Sequence, residues 1–220
     1  IQDELRKLGF PLAKRTVARY IRQVRPTPPP RKSSQTWGTF LKNHAHEVWA
    51  CDFLQTYDLW FQTLFVFFII ELGSRRVVHV AVTYAPTDVW VAQQLREATP
   101  FDTRPRFLIR DNDRKYGTEF ARAATGIEVL RTPIHAPKAN AVCERFLGSV
   151  RRECLDHVLI LNERQLQRLL KGYVHYFNTA RPYQGLDGQR PISIDSPSNG
   201  NKITAFPVLN GLHHDYRRSA

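Results

Sequence analysis

Three acidic residues stand where a carboxylate needs a reason. Asp52 sits inside an apolar run beside Trp49, Cys51 and Phe53, and burying a carboxylate there is costly unless a partner or a cation compensates. Asp111 closes a second apolar run, Phe107 to Arg110, and heads the cluster Asp111, Asn112, Asp113. Carboxyl ends of neighbouring strands are where open α/β sheets form their sites, and two such acids can share one divalent cation. Glu144 follows 33 positions after Asp111, past Pro133 and Pro137, at the start of a long helical pattern. At about 100° per residue, Cys143, Phe146, Leu147, Val150 and Cys154 share one arc of that helix, Arg145 and Arg152 lie opposite, and Glu144 falls on the boundary. Oxygen donors without a His/Cys set favour Mg²⁺ or Mn²⁺ over zinc; His44 and His46 form only an isolated H-x-H.

The elements that must carry these acids can be read from periodicity. Val48 to Tyr57, Leu64 to Leu72 and Arg76 to Tyr84 are strand-like runs of Val, Ile, Phe and Tyr, with Glu71 to Arg75 as a tight connection. Together they predict an antiparallel meander. Thr87 to Ala98 has a capping residue and helical spacing. Phe107 to Arg110 is a short strand, Gly117 to Ala124 a helix, Ile127 to Leu130 a strand, and Ala139 to about His157 a long helix. The order β-β-β-α-β-α-β-α implies a mixed sheet flanked by helices. Ile203 to Leu209 reads as one more strand, and His213 to Arg218 as a basic stretch, solvated in preference to touching DNA.

Charge indicates the class of partner. The chain has 32 Lys and Arg against 20 Asp and Glu, a net charge of +12, which attracts polyanions. Nine basic and two acidic residues fall before Thr36, all within the first 32 positions. Residues 1–25 read as two helical pieces broken at Gly9 and Pro11, the end of a helix-turn-helix. In the second piece Lys14, Arg15, Arg19 and Arg22 lie off the apolar stripe, placed for phosphate contacts. Pro26, Pro28, Pro29 and Pro30 make a stiff linker. The organisation expected is a DNA-binding segment at 1–25, a linker at 26–43, a core at 44–195 and a tail at 196–220. Three cysteines without a C-x-x-C pair fit a reducing compartment. Leu64 to Leu72 is about half the ~20 residues needed to span a bilayer, so no membrane role is expected. The sequence contains no methionine, and it reads as a fragment of a longer protein.

Several stretches resemble the DDE transposase and retroviral integrase superfamily, above all bacterial insertion-sequence transposases with an integrase core. They are Trp49-Ala-Cys-Asp52, Ile109-Arg-Asp111-Asn-Asp-Arg-Lys-Tyr116 and Pro137-Lys-Ala-Asn140-Ala-Val-Cys-Glu144-Arg-Phe, followed by Val150 to His157 and Tyr176 to Tyr183. The resemblance implies a ribonuclease H-like α/β fold with a partial N-terminal helix-turn-helix. It implies that Asp52, Asp111 and Glu144 are the catalytic and metal-binding acids, with Asp111 chosen over Asp113 because the aromatic of the motif falls at Tyr116. Two Mg²⁺ or Mn²⁺ ions, cleavage and strand transfer on double-stranded transposon and target DNA, a homo-oligomer on DNA, and a bacterial cytoplasmic, nucleoid-associated location follow as expectations. Lys138, Asn140, Arg151 and Arg152 are expected to hold the transposon end. The His/Cys zinc module of retroviral integrases has no counterpart here. Two other readings share much of this chemistry: a ribonuclease H-like nuclease, and a catalytically silent DNA-binding protein.

Overall fold

The computed structural model describes residues 2–24, 37–100, 103–131, 141–193 and 202–219, and the chain divides into two compact units, 1–35 and 36–220. In the first, α1 (Gln2–Lys7) and α2 (Lys14–Val24) are separated by a turn in which Gly9 takes a φ of 85°, a value that favours glycine. On α2 Val17 is buried while Lys14, Arg15 and Arg19 are exposed. The Arg22 side chain lies outside the described residues.

The second unit is built on five strands: β1 (Val48–Tyr57), β2 (Thr63–Glu71), β3 (Val77–Thr83), β4 (Phe107–Arg110) and β5 (Glu128–Arg131), in the order β3-β2-β1-β4-β5. β1 to β3 form the antiparallel meander; β4 runs parallel to β1, and β5 parallel to β4. β2 is buried along nearly its whole length, which is why it reads as a continuous apolar run and not as an alternation.

Alternation survives where the two faces separate. Val48, Ala50 and Leu54 of β1, with Phe107 and Ile109 of β4, belong to the core under α6 (Ala141–Glu153) and α7 (Glu163–Thr179). Trp49, Cys51 and Leu108 belong to the opposite core, under α4 (Asp88–Ala98) and α5 (Thr118–Ala123). The mixed sheet flanked by helices is the architecture that the periodicity implies.

α7 closes the open edge of the sheet, since an edge strand leaves backbone groups to be satisfied. Asn178 accepts from the Val77 amide at 2.9 Å and donates to the Val77 carbonyl at 2.9 Å. Gln167 does the same for the Val82 amide (2.8 Å) and the Val80 carbonyl (3.0 Å). Two side-chain amides three helical turns apart thus continue the ladder of β3.

Two segments differ from expectation. Trp37–His44, inside the expected linker, forms α3, and Phe40 packs edge-on against Phe107 at 5.0 Å. The tail forms a hairpin of β6 (Lys202–Val208) and β7 (His213–Ser219). His213 is not a solvated residue: its ring stacks on Tyr176 at 4.9 Å and its Nε2 lies 2.7 Å from the Glu153 carbonyl. Among the described residues no helix is long and apolar enough to cross a membrane.

Candidate active site

The register of β1 against β4 places the first two acids. Ala50 pairs with Ile109, so Asp52 and Asp111 fall at the same level two residues further on, on strands about 4.8 Å apart. Both share parity with Ala50 and Ile109, and therefore the face that α6 covers. Asp52 pairs across β2 with Phe68, and Phe68 meets Phe146 of α6 edge-on at 5.0 Å. Phe146 is two residues from Glu144, so one aromatic contact ties the strand of the first acid to the helix of the third.

Each neighbour in the motif around Asp111 has a task. Arg110 turns to the opposite face, lies over the Tyr116 ring at 4.8 Å and donates to the Asp111 carbonyl at 2.8 Å. Tyr116 is buried, packs on Phe120 at 4.9 Å and accepts from the Cys51 thiol at 3.7 Å. The Asp111 carboxylate accepts from the Asp113 amide at 3.2 Å. Asp113 is engaged elsewhere: it pairs with Lys115 through both amide and ammonium. Burial pushes its carboxyl up, but the Lys115 hydrogen bonds outweigh this and hold it below the ordinary range. Lys115 in turn sits over the rings of Phe53 and Phe65, at 5.1 and 5.3 Å, fastening the loop to β1 and β2.

The buried groups around the acids register a shared negative field. Cys51 is pushed up to about 12 by burial, with Asp52 and Asp111 adding to the rise. Burial raises Cys143 as well, and there the contributing charges include Asp52 and Glu144. Tyr116 is raised by burial and then by Cys51, Asp111 and Asp52. The thiols are therefore neutral packing groups, and all three cysteines are buried and free.

The convergence is incomplete. Glu144 is exposed at the start of α6, and among the described residues no three His, Cys, Asp or Glu side chains form a metal-binding group. Asp52, midway along β1, and Asp111, just past the end of β4, are nevertheless hard donors at one level, and they fit Mg²⁺, which commonly takes one or two carboxylates and completes its shell with water and substrate phosphate. Arg151 and Arg152 are exposed on α6, with Arg151 donating to the Gln55 carbonyl at 3.3 Å. Lys138 and Asn140 lie outside the described residues. His44 is bound to Glu47 at 2.9 Å and packs on Phe107, a structural task.

Sequence reasoning missed the support behind α6. Glu153 receives Arg181 through two hydrogen bonds and the Tyr173 hydroxyl through a third, at 2.8 Å. The two motif stretches at 150–157 and 176–183 signalled these positions without showing that they meet. Asp88 was missed outright; it accepts from the amides of Gly117, Glu119 and Phe120 at 2.8 to 2.9 Å, capping α5 from another helix.

Known proteins resemble this chain in sequence and in fold. The integrase core domain model matches residues 125–191, which include Glu144, Glu153 and Arg181. An uncharacterized 39.2 kDa protein of insertion element IS476 from Xanthomonas euvesicatoria is 25% identical over 172 residues, covering 76% of this chain and 50% of its own length. These matches support a member of the DDE transposase and integrase superfamily. An uncharacterized 31.7 kDa protein of insertion element IS407 from Burkholderia multivorans is 24% identical over 153 residues, covering 66% of this chain and 54% of its own length. The chain thus spans about half the length of these relatives. The fold is shared with the HTLV-2 integrase catalytic core domain solved in complex with magnesium, at TM-score 0.53 and 15% identity over 66% of this chain and 93% of that one. A simian T-cell lymphotropic virus intasome in complex with a phosphatase regulatory subunit gives TM-score 0.54 at 16% identity, covering 79% of this chain and 67% of that one.

Proposed function

We propose that this chain carries the catalytic core of a transposase that cleaves DNA and joins the freed end to a target. The observation that carries the reading is the level placement of Asp52, midway along β1, and Asp111, just past the end of the parallel neighbour β4, on the face covered by the helix of Glu144. Asp52, Asp111 and Glu144 are the acids assigned to hold two Mg²⁺ or Mn²⁺ ions; magnesium in the HTLV-2 integrase core accords with this choice of metal. Held by these carboxylates, a divalent cation would supply Lewis-acid activation of an attacking oxygen, of water or of a DNA 3′-hydroxyl, and charge stabilisation for the leaving 3′-oxygen.

The chain's own groups supply position. The Lys115 and Arg110 contacts fix the loop that presents Asp111, and the Phe68–Phe146 contact sets α6 against β1. Exposed Arg151 and Arg152 face outward from the same helix and suit the phosphate backbone, which positions DNA without reading its sequence. Lys138 and Asn140, just before that helix, are assigned to the same task. Lys14, Arg15, Arg19 and Arg22 of the basic first unit are assigned a separate DNA contact, as the end of a helix-turn-helix over 1–25; the linker at 26–43, core at 44–195 and tail at 196–220 complete the organisation. Double-stranded DNA is the substrate, several copies assemble on it, and the site of action is the cytoplasm, a reading that the bacterial insertion-element relatives support.

The test is a strand-transfer assay with Mg²⁺ on cognate terminal-repeat DNA, using the protein with its native flanking sequence. Wild type should form joined product that chelation abolishes, and Asp52→Asn, Asp111→Asn and Glu144→Gln should each lose at least 100-fold. Unchanged joining in these variants overturns the site. Hydrolysis without joining would make the protein a nuclease, and DNA binding with neither would make it a silent binding protein.

A further inference from the structure

The connection between β1 and β2 presents aromatic rings to solvent at the end of a rigid turn. Trp60 is 74% exposed and Phe61 86%. Beside them lie the exposed side chains of Tyr57, Leu59, Leu159 and Leu161, and the two segments are joined where the Leu59 amide donates to the Ile160 carbonyl at 2.7 Å. The turn is built around buried Asp58. One of its oxygens accepts from the amides of Trp60 and Gln62, both at 2.9 Å, and the other accepts from the Tyr84 hydroxyl at 2.9 Å. Phe61 is held at a φ of 59°, a region that a bulky side chain enters only where its surroundings dictate it.

The chemistry of the patch is unlike that of the rest of the chain. From Tyr57 to Ile70 the sole charged residue is Asp58, turned inward, and Val158 to Asn162 carries no charge. A phosphate-binding surface needs cations; Leu59 to Phe61, Leu159 and Leu161 carry none, and Arg151, which lines a recess with Tyr57 and Asp156, stands at the margin of the patch. Aromatic enrichment with depletion of charge is the composition of a protein–protein interface core. On a chain of net charge +12, contact between two copies meets like-charge repulsion over most of the surface, and an uncharged apolar patch escapes it. An unrelated acidic partner would instead be drawn to the basic faces. Fully covered, the three aromatic side chains alone bury on the order of 450 Å², and the three leucines bring the patch towards the ~800 Å² per partner of a standard interface. Because Asp58 already fixes the turn, little conformational freedom is lost on contact.

We infer that the β1–β2 tip, Trp60 and Phe61 with Leu59, Leu159 and Leu161 beside them, is a self-association surface through which two copies of this chain pair. The inference needs neither metal nor DNA, so it stands or falls apart from the catalytic reading. Sedimentation equilibrium of the full chain without DNA should show a dimer, whose dissociation constant Trp60→Ala/Phe61→Ala raises about 10- to 100-fold. Leu159→Ser/Leu161→Ser, outside the turn, should do the same while thermal melting shows the fold retained. Raising salt should leave the dimer as tight or tighter, because repulsion is screened; a DNA-binding surface weakens with salt. Since the native cysteines are buried, Gln62→Cys, at an exposed position beside the tip, with a bifunctional maleimide should give a cross-linked pair in dilute solution. A chain that is monomeric throughout, or a dimer indifferent to both double variants, overturns the inference. So does a loss of DNA affinity in those variants with the dimer intact.

Discussion

Arg181 grips Glu153 with two hydrogen bonds, Nε to Oε2 at 2.7 Å and Nη2 to Oε1 at 2.6 Å, across 28 residues of chain. The pair joins the last turn of α6 to the segment after α7, and Tyr173 and the Glu153 carbonyl bring α7 and the terminal hairpin into the same cluster. The far end of the helix that carries Glu144 is therefore anchored by charge as well as by packing.

Removing Arg181 leaves Glu153 half-buried with the Tyr173 hydroxyl as its side-chain partner but without a compensating charge. Arg181→Ala should lower stability by about 2–3 kcal/mol, less than for a fully buried pair because both groups keep about a quarter of their exposure. Arg181→Lys should recover only part of this, since an ammonium cannot reproduce the two-pronged contact. Urea unfolding at neutral pH measures both. Burial raises the Glu153 carboxyl, but the Arg181 and Tyr173 hydrogen bonds outweigh it and the net shift is down from 4.5. A depressed folded value means the contribution is present above the unfolded value and is lost as pH falls through the folded one. Wild type should thus lose more stability than Arg181→Ala on acidification below about pH 4.5.

Asn178 offers a sharper test of how the sheet edge is closed. It is 7% exposed and serves the Val77 amide and carbonyl at once. Asn178→Ala orphans both buried groups and should cost roughly 2–4 kcal/mol. Asn178→Asp keeps the acceptor for the amide but sets a carboxylate against the carbonyl. Its deficit should be largest at neutral pH and shrink on acidification, where the protonated acid can donate again; a deficit independent of pH would contradict the clamp.

How much of this was legible follows from the range of each interaction. The meander, β4 and the early part of α6 could be read because apolar periodicity is local, and Asp52 stood out because its neighbours are apolar. The sheet order and the level placement of Asp52 and Asp111 depend on pairing across 59 residues, which no local pattern encodes. α7 carries a local signal of its own, since Leu166, Leu170, Tyr173 and Phe177 keep helical spacing behind the Asn162 cap, but its place along the β3 edge depends on Gln167 and Asn178 reaching strand positions 85 to 101 residues away. Asp88, in the first turn of α4, is what a helix's own dipole favours, so nothing marked it as the cap of a different helix.

That cap predicts coupling between two positions with no chemistry of their own. A Cβ on Gly117 would lie 2.5 Å from the Asp88 Oδ2, and the carboxylate has little freedom to yield because three amides hold it. Asp88→Ala should cost about 2 kcal/mol through the lost cap, and Gly117→Ala should cost a similar amount through the displaced carboxylate. With the carboxylate gone the added methyl has room, so the double variant should cost clearly less than the sum. Strict additivity in chemical denaturation would show that the contact is not what fixes glycine there.

The acid pair itself can be tested without DNA. Two carboxylates level on adjacent strands repel one another, so Asp52→Asn or Asp111→Asn should leave stability unchanged or raise it by up to about 1 kcal/mol in chelator. Divalent cation reverses the order, because a ligand that binds the folded form stabilises it by mass action, about 1.4 kcal/mol at ten times its dissociation constant. Mg²⁺ or Mn²⁺ should therefore raise the melting temperature of wild type and lift neither asparagine variant, with Glu144→Gln intermediate because its side chain is exposed and joins no preformed cluster. Equal shifts in all four proteins would mean that the cation binds elsewhere, and the level placement of Asp52 and Asp111 would then need another explanation.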